Sequence, residues 1–143
     1  MAWINSYSIV KIITKDAGGE ENGWVLPIWN CRESDYRPDQ IYLTVVNPHC
    51  SKGPHLHKVR TGFFSCIQGN VTIITRKDRT YEKHWLGLHN AHKPLKVEPG
   101  TACQIVNHMG EPAILLNMPS PSWAYDEPDE WPVEGWRPQG ING

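Results

Sequence analysis

The feature that most constrains this chain is its punctuation. Short apolar, β-branched runs are cut repeatedly by Gly, Pro, Asn and Asp, and no stretch sustains the 3.6-residue period of an amphipathic helix. Twelve Gly and twelve Pro in 143 residues break helices and mark turns between strands. The pattern predicts one all-β domain over residues 1–143, large enough to bury a core without disulfides.

Ser8 to Thr14 reads as a first strand, Asp16 to Gly23 as a loop, and Trp24 to Trp29 and Ile41 to Val46 as further strands. Lys52 and Gly53 open the next strand. Phe63 to Ile67 then turns through Gln68-Gly69-Asn70 into Val71 to Thr75, which reads as a hairpin carrying the histidine segment. Tyr81 to Leu88, Leu95 to Val97, Cys103 to Asn107 and Pro112 to Met118 complete a set of eight or more short strands. The core spans about 24–118. From Pro119 the composition shifts to Pro and Trp, which cannot make regular interior strands, so residues 119–143 are expected to pack over the barrel or wrap a partner subunit.

Several function classes are disfavoured. The net charge is −1 and the 14 basic residues are scattered, so the chain lacks the basic footprint that nucleic acid or an anionic membrane requires. No apolar run approaches the ~20 residues of a membrane span. Cys31, Cys50, Cys66 and Cys103 show no CxxC spacing, and the first residues carry neither a basic nor a long apolar leader segment. The expectation is a cytoplasmic protein with reduced thiols.

The chemistry concentrates in Gly53-Pro54-His55-Leu56-His57-Lys58. On an extended strand residues i and i+2 share a face, so His55 and His57 can line one cavity. The alternative reading is an inert, hydrogen-bonded pair.

The order of these parts resembles a cupin, a jelly-roll β-barrel. His55-Leu56-His57 stands for the HxH of the first cupin motif, Gly69 for its closing glycine, and Gly100 and Asn107 for parts of the second. Gly62 occupies the slot of the motif's glutamate and Cys103 that of its last histidine, so two of four metal ligands are retained. The resemblance therefore implies chemistry with no metal and no other cofactor. Lys52-Gly53-Pro54-His55 and His55-Leu56-His57-Lys58 are similar to segments of the dTDP-4-dehydrorhamnose 3,5-epimerases and the dTDP-sugar 3,4-ketoisomerases. That likeness implies a homodimer acting on a nucleotide-linked 4-keto-6-deoxysugar.

Such chemistry removes a proton next to a ketone, and histidine is the side chain whose ordinary pKa suits the task. His55 is the candidate base, with His57 relaying the proton or polarising the carbonyl. By the family likeness Tyr125 is the acid on the opposite face. Lys58 or Arg60 would meet the enolate oxygen, Lys52 or Arg32 the diphosphate, and Trp24, Trp29 or Tyr42 the nucleobase. Each has a plainer reading: Tyr125 as packing, Lys58 and Arg60 as solvated charges, Cys103 as a small buried apolar residue. His84, His89, His92 and His108 have no spacing that recommends them. Two rival functions stay open, a non-catalytic sugar- or nucleotide-sugar-binding cupin and a metal-dependent dioxygenase-like cupin using His55, His57 and Cys103.

Overall fold

A computed structural model describes residues 11–88, 93–124 and 126–138. They contain ten strands: β1 (Ile12–Lys15), β2 (Glu21–Val25), β3 (Tyr42–Val46), β4 (Ser51–Leu56), β5 (Gly62–Gln68), β6 (Asn70–Lys77), β7 (Thr80–Gly87), β8 (Leu95–Val97), β9 (Ala102–Val106) and β10 (Ala113–Asn117). Apart from the β1–β2 hairpin they form two four-stranded antiparallel sheets, ordered β3-β10-β5-β8 and β4-β9-β6-β7. Packed face to face, the sheets make the jelly-roll sandwich of a cupin-like fold, as expected.

The core follows the period of two. Val71 and Ile73 of β6, Cys103 and Ile105 of β9, Leu86 of β7, and Cys66 and Leu115 of the facing sheet are buried in one cluster. At ~25 cal/mol per Å² of apolar surface removed from water, such side chains contribute about 1.5–3 kcal/mol each. A second cluster lies on the outer face of the β3-containing sheet, where Ile28, Trp29, Tyr36 and Leu116 pack around Phe63 and Met118. Asn107 ties the end of β9 to the neighbouring loops: its side-chain amide donates to the carbonyls of Val46, Asn47 and Glu111 at 3.1, 3.3 and 2.7 Å.

Three sequence expectations are corrected. Gly69 does not close a hairpin: β5 pairs with β10 and β8, whereas β6 pairs with β7 and β9, so the chain crosses between sheets there. The crossing is tight, with Gly69 at φ +73° and its α-carbon so close to Pro112 that a Cβ would sit 2.9 Å from that carbonyl oxygen. The Asp16–Gly23 loop is shorter than expected, because the Asp16 carboxylate accepts from the N–H groups of Gly18 and Glu20 and closes the turn early enough for Glu21 to begin β2. That strand ends at Val25 rather than Trp29, just before Pro27, which has no N–H to donate. Ser8 to Val10 of the expected first strand lie outside the described residues.

Residues 126–138 run back across the β4-containing sheet. Trp136 donates through Nε1 to Gln104 of β9 at 3.0 Å, and Arg76 of β6 donates to the carbonyls of Glu134 and Gly135 at 3.0 and 3.2 Å.

Candidate active site

The site begins with an irregularity in β4. Lys52 pairs with Ile105 and His55 with Cys103, so three steps along β4 match two along β9, a β-bulge. The extra residue restores the facing, and Lys52 and His55, although three apart, line the same cavity with His57. Gly53 makes the bulge possible. Its φ is +90°, and a Cβ there would lie 2.7 Å from the carbonyl oxygen of Cys103. No L-side chain fits that gap without moving β9.

His57 sits just past the end of β4, half-buried. Its Nδ1 lies 2.6 Å from the carbonyl oxygen of Asp129. A carbonyl only accepts, so Nδ1 carries the proton and Nε2 holds the lone pair of the neutral ring. Nη2 of the buried Arg60 is 3.2 and 3.3 Å from the two ring nitrogens. A group nearly equidistant from both cannot lie in the ring plane without striking the Cε1 hydrogen, so Nη2 lies over the imidazole face. Burial lowers the His57 pKa below its ordinary value; the Asp129 carbonyl opposes this and the Arg60 charge adds to it. His57 is thus held neutral, in one tautomer.

Asp129 also holds the loop that carries Arg60. Its Oδ1 accepts from the N–H of Lys58 at 3.1 Å, and its Oδ2 from those of Val59 and Arg60 at 3.0 and 2.9 Å. Trp131 Nε1 donates to Oδ1 at 3.1 Å. Burial pushes this carboxyl upward, but the four donors win and hold its pKa at about 2.

The cavity has a volume of about 660 Å³, within the usual range for a small-molecule site. Its opposite wall comes from the other sheet, with Tyr42 and Thr44 of β3, Phe64 of β5, Val97 of β8 and Asn117 of β10; Trp123 and Glu130 of the tail close the side. Asn117 Nδ2 donates to the Tyr42 hydroxyl at 2.7 Å, and Asn117 Oδ1 accepts the Phe63 N–H at 3.2 Å. The Tyr42 oxygen is therefore an acceptor in that pair and keeps its own O–H for another partner. One wall thus carries imidazoles and cations, the facing wall a phenol and apolar surface.

Of the residues nominated from sequence, Tyr42, Lys52, His55, His57, Arg60 and Cys103 come together around the cavity. His55 is exposed, its ring edge-on to His57 with centroids 6.5 Å apart. Lys58 and Arg32 are not among the cavity-lining residues: Lys58 Nζ lies 3.8 Å from the centre of the Trp131 ring, and Arg32 is in an exposed turn. Trp29 packs edge-on against Phe63 at 4.9 Å, and Trp24 lies on the outlying hairpin. Tyr125 falls outside the described residues. Sequence reasoning missed Asp129, Glu130 and the Tyr42–Asn117 pair. Pro128-Asp129 has the composition of a turn, but nothing local ties it to a histidine 72 residues earlier.

The donor set does not suit a cupin metal. No group of three or more His, Cys, Asp or Glu among the described residues is arranged to hold an ion. His57 Nδ1 is committed to a carbonyl, and burial pushes the Cys103 thiol to about 12, so it is no thiolate at neutral pH.

The fold and this site define a cupin-like protein with a histidine-lined cavity. The chain belongs to the family described as "FdtA: WxcM-like, C-terminal", whose model matches residues 7–130. No curated protein sequence matches it. Among solved structures it is similar to a dTDP sugar isomerase from Desulfovibrio desulfuricans G20, with TM-score 0.73 and 16% identity over 87% of this chain and 80% of that one. QdtA, a sugar 3,4-ketoisomerase from Thermoanaerobacterium thermosaccharolyticum solved in complex with TDP, superposes with TM-score 0.65 and 20% identity over 90% of each chain. The capsular polysaccharide assembling protein CapF from Staphylococcus aureus gives TM-score 0.62 and 19% identity over 68% of this chain; the match spans only 29% of CapF. At these identities the likeness concerns the fold.

Proposed function

We propose that the chain is a metal-independent isomerase of a nucleotide-linked 4-keto-6-deoxysugar, shifting the ketone from C4 to C3 by proton transfer. The carrying observation is a half-buried imidazole whose Nδ1 is held by a backbone carbonyl, with Arg60 Nη2 3.2 and 3.3 Å from its two ring nitrogens, in a cavity faced by a tyrosine. The names of the isomerase and ketoisomerase neighbours support the same substrate class. Similarity to the His-x-His-Lys segment, and a ketoisomerase neighbour matched over 90% of its length, favour ketoisomerisation over epimerisation.

In this reading His57, rather than His55, is the base, because it alone of the two has its tautomer fixed by a partner. Nε2 takes the proton from C3, and the electron pair of that C–H bond forms the C3–C4 double bond while the C4 carbonyl oxygen becomes an enolate. Arg60 meets that developing charge. Protonation of O4 gives the enediol, for which the Tyr42 O–H or His55 serves; Tyr125 stays a candidate from the family likeness. Loss of the O3 proton and delivery of a proton to C4 complete a reaction that balances without cofactor. Lys52, an exposed residue of the cavity lining, suits the diphosphate.

A homodimer fits this reading. Ile12, Ile13, Trp24 and Val25 of the β1–β2 hairpin are 48–54% exposed, and Leu43 and Val45 leave the outer face of β3 apolar, surfaces a second copy would cover. Four free cysteines suit the cytoplasm, and no helix among the described residues is long and apolar enough to cross a membrane.

The test is incubation with dTDP-4-keto-6-deoxyglucose in D2O. Deuterium should enter the sugar ring as the 3-keto isomer forms, and His57→Asn should slow both about 10²–10⁴-fold. Deuterium with an inverted centre and no carbonyl shift would mark an epimerase. Nucleotide-sugar binding without any exchange would leave a binding protein and overturn the proposal.

A further inference from the structure

Asp129 stands out in the tail because its φ is +49°. An L-residue pays for the left-handed region in backbone strain, and Asp is among the few that adopt it with any frequency. This conformation lets one residue use both its polar groups on the same loop. The carboxylate accepts from three consecutive N–H groups, those of Lys58, Val59 and Arg60, while the main-chain carbonyl accepts from His57 Nδ1. Its neighbours extend the grip: the Pro128 carbonyl accepts from Arg60 Nη1 at 3.2 Å, and Trp131 exchanges two backbone hydrogen bonds with Leu56 at 2.9 and 3.0 Å.

We infer that Asp129 is a positioning residue, whose tethering of the 58–60 loop holds its own carbonyl against His57 and so sets the tautomer of that ring. The carboxylate touches neither imidazole nor cavity; it acts through the loop. Without the tether only the flanking bonds remain, from Arg60 to the Pro128 carbonyl and between Trp131 and Leu56; the Asp129 carbonyl is no longer pinned against Nδ1, and the imidazole shifts toward a mixture of its two neutral forms. One of those carries hydrogen on Nε2 and cannot take a proton there. Arg60 loses one of its anchors in the same event, since its own N–H is one of the three held. The charged groups facing His57 are Arg60, Asp129 and Glu130, with His55 beside it.

The inference rests on His57 being the base only for its effect on rate; its effect on the ring can be read without substrate. The full chain labelled with 15N is compared as wild type, Asp129→Gly and Asp129→Asn by long-range 1H–15N correlation of the imidazoles, above the His57 titration, with His57→Asn assigning the signals. Glycine accepts the left-handed backbone freely but removes the carboxylate; asparagine keeps one acceptor oxygen. Wild type should show a single Nδ1–H tautomer, Asp129→Gly a mixture, and Asp129→Asn an intermediate state. With the keto-sugar, kcat should fall about 10²-fold in Asp129→Gly while KM moves little, as expected for misplacement of a reacting group. A single Nδ1–H tautomer in folded Asp129→Gly overturns the inference. Should that variant not fold, a wild-type tautomer in Asp129→Asn overturns it. A mixed tautomer in Asp129→Gly beside a wild type without sugar exchange supports it and sinks the isomerase proposal instead.

Discussion

The β1–β2 hairpin and the 128–131 stretch of the tail invert the usual relation between regularity and anchorage. The hairpin is a strand ladder of four paired positions, broken only by a register shift between Thr14 and Lys15, yet nearly every residue in it is exposed. The tail stretch has no strand, yet Asp129 and Trp131 make six hydrogen bonds to the Leu56–Arg60 segment. Regular pairing satisfies backbone groups but leaves a two-stranded ribbon marginal without a face to bury. The tail is held because it supplies acceptors to donors that the end of β4 leaves unpaired.

The largest test of the contrast is at the tail's target. His57→Asn should lower isomerisation about 10²–10⁴-fold, measured as turnover of the keto-sugar, with little change in thermal unfolding. A smaller loss would hand the role of base to His55.

Next comes the bulge that aims β4 at the cavity. Gly53→Ala combines a forced φ of +90° with a 2.7 Å approach to the Cys103 carbonyl, and should destabilise by about 1–3 kcal/mol in denaturant titration. Unchanged stability would mean that β9 yields easily.

The acid limb of stability comes third. Asp129 has a folded pKa near 2 against an ordinary 3.8, so its contribution is present above the unfolded value and is lost as pH falls through the folded one. His57 acts in the same direction at higher pH: its depressed pKa means the unfolded chain binds more protons, and stability declines as pH drops below 6.5 toward the lowered value. Unfolding followed against pH should show two declines. Asp129→Asn should remove the more acidic one and shift the other, because the Asp129 charge and carbonyl both act on His57.

The smallest effect on folding is expected in the hairpin. Ile13→Ser with Trp24→Ser should shift sandwich stability by less than about 0.5 kcal/mol, yet weaken self-association in sedimentation. Loss of the fold on that change would erase the contrast between the two regions.

Much of the fold was legible because half-buried strands write their facing into alternation. β3, β6 and β10 lie within a residue or two of where β-branched runs end at turn residues. Pairing was less legible. Gly69 looks like a hairpin turn from its neighbours alone, and only the position of β10 and β9 decides that the chain changes sheet there. The site divides the same way. His55 and His57 could be read from a period of two, whereas Arg60 lies in a loop where that period no longer holds. Lys58, equally plausible as a cation, turned to Trp131 instead.

From residue types and spacing alone came an all-β architecture and a pair of histidines two apart on an extended segment, because each depends on local preference or on the chemistry of single side chains. The tautomer of His57, the burial of Arg60 and the part played by Asp129 belong to the tertiary structure. They depend on a carbonyl and a carboxylate brought from 69–72 residues away, and hydrogen bonds of that range are specified by where the backbone goes, not by which residues are neighbours along it.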